Sequence, residues 1–509
     1  MYIEHPLITP NKIELREYQK NIAEASKSKS TLVVLPTGRG KSAVAVLVMA
    51  HRLQYGKALM LAPTKPLVAQ HETYYRSNLT LPKDQINMLT GTISVKKRRE
   101  IWNTSKVILA TPQTIENDIK NGVYDLSGIS LLIIDECHRG IGNYAYTTVA
   151  EQYIADKPNG VILAMTASPG SDKSKIDEIK RHFDIEHVES RTDTDPDVVP
   201  YVHATDMEYI RYDLPDDLRR ISDLFKQILE DRFTLLKNMG FSLPNTTSPP
   251  MKVLNDLKKT IDCMICSDGD SQTIGYAAVS LHAEILKVRH GIGLAECQGS
   301  VALQRYLYKL KGGSSKADIR LCSSPEFIEI FDIAKDWKDE QHPKVINLPL
   351  LVMDELEKDP DSRILIFASY RDTVSNIVHE LKEAGISVSR FVGQARSSDD
   401  GLSQKKQIET VEKFRDGEYQ VLVATSVAEE GIDIPNCNVI IFYEPVPSGI
   451  RTIQRRGRTS RFSDGRVITL IANNTIDEVY LQVAKKKEES MKTQISDMRK
   501  KKPISILDF

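Results

Sequence analysis

Short apolar runs recur along the first part of this chain, and each ends on a residue that turns or polarises the backbone. TLVVL (31–35) gives way to Pro36, ALMLA (58–62) to Pro63, VILA (107–110) to Thr111, LLII (131–134) to Asp135, and VILAM (161–165) to Thr166. INML (86–89), ending at Thr90 and Gly91, repeats the pattern. Runs of this length without polar alternation fit strands buried on both faces, the condition of a parallel sheet covered by helices. The stretches that follow have the length and composition of helices, as in AVAVLVMAHRL after the first run. Strand-then-helix order predicts one doubly wound α/β domain over residues 1–204.

The periodicity then changes. Over 205–340 buried-strand runs become scarce, and Leu218, Ile221, Leu224, Phe225, Ile228 and Leu229 recur at the three- and four-residue spacing of an amphipathic helix. A second helical region runs from Met251 to Lys311, bounded by the breaker FSLPNTTSPP (241–250) and the loop KGGSSK. An all-helical insert is expected here. Strand and helix resume in RILIFASYRDT, VSRFVGQ and YQVLVATSVAEEGIDIP, so 341–483 predicts a second α/β domain, and 484–509 reads as a basic tail, helical over KKKEESMKTQISDMRKKK.

Composition narrows the function classes. Sixty-eight basic residues against 69 acidic ones give a net charge of -1, so contact with nucleic acid must come from local patches and not from a global field. No apolar run approaches a membrane span and the N-terminus lacks a signal-peptide core, so a soluble, cytoplasmic protein is expected. The cysteines are scattered. Cys263 and Cys266 form a CxxC that, with Cys297 and Cys322, would suffice in principle for zinc, but the apolar helical context predicts buried free thiols.

Two strand ends carry candidate chemistry. LPTGRGKS (35–42) sits between a buried strand and a helix. There Gly38 and Gly40 permit a tight turn of N–H groups around phosphate, Lys41 adds charge, and Ser42 can hold Mg2+. The first position of such a loop is ordinarily Gly or Ala and is Leu35 here. DECHR (135–139) puts paired carboxylates where open α/β sheets place their ligands: Asp135 to hold Mg2+ and Glu136 to deprotonate water. Upstream, Arg16 and Gln19 lie three apart on a predicted helix and could reach a purine edge together. In IQRRGRTSR (453–461), Gln454, Arg455, Arg458 and Arg461 recur at helical spacing, suited to a γ-phosphate across a cleft.

LRxYQ, PTGRGKS, APTKPLVAQ, TG, ATPQT, DECH, TAS, IFASYRDT, ATSVAEEGIDIP and QRRGRTSR, in this order, resemble the motif set of superfamily 2 helicases. DECHRGIGNYAYTTV, the helical insert and LAECQGSVALQRYLYKL are similar to the Hef and Fanconi-anaemia group M branch. The resemblance implies two RecA-like motor domains with an inserted helical domain, ATP and Mg2+ as cofactors, and an ATP-dependent helicase or translocase acting on branched DNA. It implies ATP contacts from Arg16, Gln19, Pro36, Thr37, Gly38, Arg39, Gly40, Lys41, Ser42, Gly431 and Asp433, with metal at Ser42 and Asp135. Lys41, Asp135, Glu136, Gln454, Arg458 and Arg461 would serve hydrolysis, and His138, Thr166 and Ser168 would couple it to movement. Pro63, Thr64, Thr90, Gly91, Thr111, Ser369, Gln394 and Thr425 would line the strand path. Ser460 stands where the last motif usually has Gly, which the site is expected to tolerate.

Two rival functions fit the same motifs: a double-stranded RNA translocase of the RIG-I or Dicer type, and an ATP-switched clamp that unwinds nothing. Relatives often carry a nuclease signature ERKxxxD; none occurs in these 509 residues, and nuclease activity is not expected of them. After Pro503, Ile506 and Phe509 lie three apart and resemble, in part, the peptides by which repair enzymes hold a sliding clamp, the other expectation being a tail folded onto its own motor.

Overall fold

The computed structural model describes residues 2–157, 159–170, 172–202, 205–243, 251–393, 403–425, 434–435, 437–448 and 465–500. The first domain contains β1 (Thr31–Val34), β2 (Lys57–Leu61), β3 (Ile86–Leu89), β4 (Val107–Ala110), β5 (Ile129–Ile134), β6 (Val161–Thr166) and β7 (His187–Ser190). Its helices are α1 (Glu17–Ala25), α2 (Lys41–Arg52), α3 (Lys65–Asn78), α4 (Val95–Thr104), α5 (Pro112–Lys120), α6 (Ala145–Asp156) and α7 (Lys173–His182). The sheet order is β3-β4-β2-β5-β6-β1-β7, with parallel pairing throughout. Successive strand residues serve opposite faces: Val33, Met60, Ile133 and Leu163 join one core with α1 and α2, while Leu32, Leu61, Ile134 and Ile162 join the other with α6 and α7. Two-sided burial is why these strands lack polar alternation.

The chain enters the second sheet earlier than its pattern suggested. Residues 205–212 form β8 (Thr205–Tyr212), which pairs along its whole length with the last strand of that sheet. The segment 205–340 therefore opens on a strand of the second motor domain, and its helical part begins later. As an edge strand, TDMEYIRY is largely half-exposed and shows no apolar run. The insert proper consists of α8 (Asp216–Asn238), α9 (Met251–Ile265), α10 (Asp270–Gly293), a π-helical turn at Leu294–Gln298, α11 (Ser300–Lys311), α12 (Lys316–Cys322) and α13 (Pro325–Ala334). They share one apolar core around Phe225, Ile285, Leu303 and Ile330. Cys263 and Cys266 are exposed, contrary to the expected buried thiols, because α9 turns Leu254, Leu257 and Ile261 inward and carries the cysteines off that face.

The second domain continues with α14 (Pro343–Lys358), β9 (Ile364–Phe367), α15 (Arg371–Glu383), β10 (Val388–Phe391), α16 (Gln404–Asp416), β11 (Val421–Ala424), β12 (Val439–Phe442), β13 (Gly465–Ala472) and α17 (Ile476–Lys500). Its parallel sheet runs β10-β11-β9-β12-β13-β8. Lys344 and Asp477, both fully buried, pair at 2.7 Å and join α14 to the start of α17. Lys344 also donates to the Tyr443 carbonyl at 3.0 Å. The expected tail from residue 484 is, through Lys500, a continuation of α17. That helix is about 37 Å long at the α-helical rise, and its Met491 and Ile495 are buried in the core of the first domain. Among the described residues, no helix is long and apolar enough to cross a membrane.

Candidate nucleotide site and strand path

In the first sheet β5, β6 and β1 are adjacent, so the loops after them share one edge. After β1, Gly38 and Gly40 take φ of 82° and 79°, the left-handed region that glycine enters at least cost. Gly40 caps α2, and Lys41 and Ser42 open that helix, whose first N–H groups and positive dipole end suit an anion. Lys41 Nζ rests 3.3 Å from the Leu35 carbonyl, within its own loop.

The loop is tied down from outside. Tyr18 Oη and Gln19 Nε2 both donate to the Arg39 carbonyl, at 2.8 and 3.0 Å. The Arg39 side chain turns away from the loop interior, donating to Asp193 Oδ1 (2.7 Å) and the Tyr201 carbonyl (2.9 Å), so only its backbone faces the cradle. Arg16 lies over the Tyr201 ring at 5.1 Å and donates to Glu14. Gln19 is 3% exposed: its amide positions the glycine turn in this structure.

At the end of β5, Asp135 is buried and its Oδ2 meets His71 Nε2 at 2.9 Å. Burial alone would push this carboxyl up; the His71 contact and the Lys41 charge outweigh it and hold Asp135 below the ordinary value. His71 was absent from the sequence reading. Its signal was its spacing with Val68 and Tyr75 on the buried face of α3, which marks an inward position but no chemistry. Tyr146 Oη donates to the Asp135 carbonyl at 2.7 Å.

Glu136 adopts φ 47°, ψ 48°, a left-handed conformation that costs a non-glycine residue energy and often marks function. Among the described residues its buried Oε2 has no hydrogen-bond partner. His138 Nδ1 lies 3.3 Å from that oxygen, but its bond goes to Thr166 Oγ1 at 3.0 Å. Thr166 donates in turn to the Ser168 carbonyl, and Ser168 Oγ lies 2.5 Å from Met491 Sδ on α17. An unpartnered carboxylate oxygen beside a phosphate-type loop and a second carboxylate fits ATP with Mg2+, leaving room for an ordered water.

Thr64, Thr90, Gly91 and Thr111 follow β2, β3 and β4 along the same edge, with Pro63 buried beside Thr64. Thr64 Oγ1 is buried without a partner. Thr90 bonds Thr92 at 2.8 Å and Thr111 bonds Thr114 at 3.0 Å, while Gly91 faces open space. In the second domain Ser369 is exposed after β9, its N–H donating to Glu444 Oε1, and Thr425 is buried after β11. Gln394, Gly431, Asp433, Gln454, Arg458, Ser460 and Arg461 lie outside the described residues, as do Ile506 and Phe509.

Paired parallel sheets, one with a phosphate-type loop beside a carboxylate pair, are the architecture of a nucleotide-driven motor, and the family matches make it a superfamily 2 helicase. Residues 16–176 match the DEAD/DEAH box helicase family and 347–463 the helicase conserved C-terminal domain. The crystal structure of the Pyrococcus furiosus Hef helicase domain is 40% identical, with a TM-score of 0.73 over 94% of this chain and 99% of that one. The chain belongs to the Hef and Fanconi-anaemia group M type of helicase. It is 43% identical, over 98% of its length and 63% of the relative's, to a Methanocaldococcus jannaschii protein named "Putative ATP-dependent RNA helicase". It is 33% identical to the Neurospora crassa ATP-dependent DNA helicase mph1, over 90% of this chain and 41% of that one. To the mouse Fanconi anemia group M protein homolog it is 29% identical, over 95% of this chain and 26% of that one. It thus spans less than two thirds of each of these three proteins.

Proposed function

We propose that this chain is an ATP-dependent DNA helicase or translocase that acts on branched DNA, such as stalled forks and four-way junctions, in repair. The observation that carries the enzymatic part is the orphaned Glu136 oxygen, held open beside Asp135 while His138 bonds to Thr166. Bound ATP would supply the phosphoanhydride and Mg2+ the charge neutralisation on its phosphates.

The residues divide the work. Backbone N–H groups of Thr37 to Gly40 would cradle phosphate, Lys41 would neutralise it, and Ser42 and Asp135 would hold the metal. Glu136 orients a water and takes its proton. Movement of Glu136 is felt at Thr166 and Ser168 through His138, and from there at α17, which is rooted in the second domain. From the family resemblance alone, Gly431 and Asp433 would approach the nucleotide, Gln454 would orient the water, and Arg458 and Arg461 would complete the site; all five lie outside the described residues. The threonine-rich strand ends take the sugar-phosphate chain, for which the unpartnered Thr64 hydroxyl is suited.

The name of the Neurospora relative favours DNA; the name of the Methanocaldococcus protein favours a second reading, an RNA-stimulated motor. ATPase stimulation by forked DNA, linear duplex DNA and double-stranded RNA, measured beside strand displacement, decides between them. The fork should stimulate most and be unwound. Strongest stimulation by double-stranded RNA would overturn the DNA assignment, and stimulation without displacement or translocation would leave a switched clamp.

A further inference from the structure

Between the insert and the second sheet lies a cleft of about 440 Å³ that the nucleotide site does not use. One wall is the last part of α10, with Leu286, Arg289 and His290; the other is the turn after β9, with Ser369 and Tyr370, and the loop after β12, with Glu444. Its frame is fixed by buried polar contacts. Gln298, on the π-helical turn, donates to Glu444 Oε2 at 3.2 Å and accepts from Thr373 Oγ1 at 2.8 Å. Glu444 Oε1 accepts the Ser369 N–H at 2.5 Å. The Glu444 carboxylate is thus engaged on both oxygens and is not aimed at a ligand. A π-turn placed where an insert is joined to a motor domain is a common mark of a functional position.

The cleft is lined by polar and apolar groups together. Tyr370 is 44% exposed and Leu286 37% exposed, two large side chains uncovered by the described residues within one concave, braced site. His290 packs its ring near that of Tyr370 (centroids 5.6 Å apart, 59° between planes) and edge-on to Tyr306 (4.7 Å, 87°), which restrains the tyrosine. Burial holds His290 below its ordinary pKa, so near neutral pH it is an uncharged ring. Arg289 lines the same cleft on the α10 wall, across from Tyr370. An exposed aromatic face beside a cation is how proteins hold unpaired nucleotides without reading sequence.

We propose that this cleft receives an unpaired nucleobase of the bound strand, stacked on Tyr370, with Arg289 facing the adjoining phosphate. The inference rests on the branched-DNA reading and deepens it: a branch point presents unpaired bases, whereas a continuous duplex keeps them stacked inside.

The test uses the full chain and compares wild type, Tyr370→Phe and Tyr370→Leu. Affinity is measured by anisotropy on a labelled fork with unpaired arms and on a blunt duplex of equal length. Tyr370→Leu should weaken fork binding about tenfold, the scale of one base-aromatic stack. Tyr370→Phe should stay within about twofold of wild type, and duplex affinity should be equal in all three. On the opposite wall, Arg289→Gln should lower the salt slope of fork binding by about one. A Tyr370→Leu protein that binds the fork like wild type, or an unchanged slope for Arg289→Gln, overturns the stacking site and leaves fork preference standing. A wild type that binds fork and duplex equally overturns the functional reading, and the cleft's role with it.

Discussion

Glu136 owes its usefulness to an unfavourable backbone. Held at φ 47° just past a buried strand, it projects an oxygen that makes no hydrogen bond among the described residues. Glu136→Gln keeps the shape and removes the base, so ATP turnover should fall by roughly 10²- to 10⁴-fold while nucleotide affinity is retained. Lys41→Ala should lose both. Calorimetric binding of a non-hydrolysable ATP analogue beside steady-state hydrolysis reads the difference, and tight binding by Lys41→Ala would count against the cradle. Asp135 gives a pH prediction. Its folded carboxyl titrates below the ordinary 3.8, so the stability of its ionised form is complete above that value and is lost as pH falls through the lower folded one. His71→Phe removes the contact that outweighs burial, so the acid limb of the ATPase profile should move to higher pH; an unmoved limb would separate His71 from Asp135. The phosphate loop and carboxylate pair were legible because each is a contiguous string at the end of an apolar run. His71 was not, because a helix that buries Val68 and Tyr75 would bury a histidine for packing alone.

In the first domain the strands covered on both faces declared themselves as apolar runs; β8, an edge strand with mixed polarity, did not, and β12 and β13 went unread although buried. The basic run from Lys485 reads as a helix, but its seat on the first domain rests on two residues, Met491 and Ile495, too few to mark a buried face. The junction of α14 and α17 is equally hidden, since it rests on one ion pair distant in sequence. Lys344 is fully buried; desolvation works against its charge, and the carboxylates of Asp477 and Glu444 outweigh it and raise its pKa. Lys344→Met strands a buried carboxylate at Asp477 and should cost about 3–5 kcal/mol, read as a lowered urea midpoint at unchanged slope. Adding Asp477→Leu to that variant should recover part of the loss, because two matched apolar groups leave no charge uncompensated.

At the scale of the whole molecule, β8 changes how the insert should be studied. Excision must spare residues 205–212, which fill the edge of the second sheet, and replacing 215–334 with a flexible linker is the cut that leaves both sheets whole. That protein should retain basal ATP hydrolysis and lose its preference for forks over linear duplex; an unchanged preference would reduce the insert to a spacer. Because the chain joins the second sheet before the insert begins and rejoins it afterwards, the insert hangs from one motor domain at both ends. Its contacts from Glu296 to the Ile476 N–H and from Gln298 to Glu444 fasten it to that same domain. In kinematic terms it is a passenger: on the proposed reading, each closing of the motor would carry it through the travel of the second domain to which it is fastened. A modest rotation at the nucleotide would then become a longer sweep at the insert's far end, where a strand junction resting against it would be pushed once per ATP.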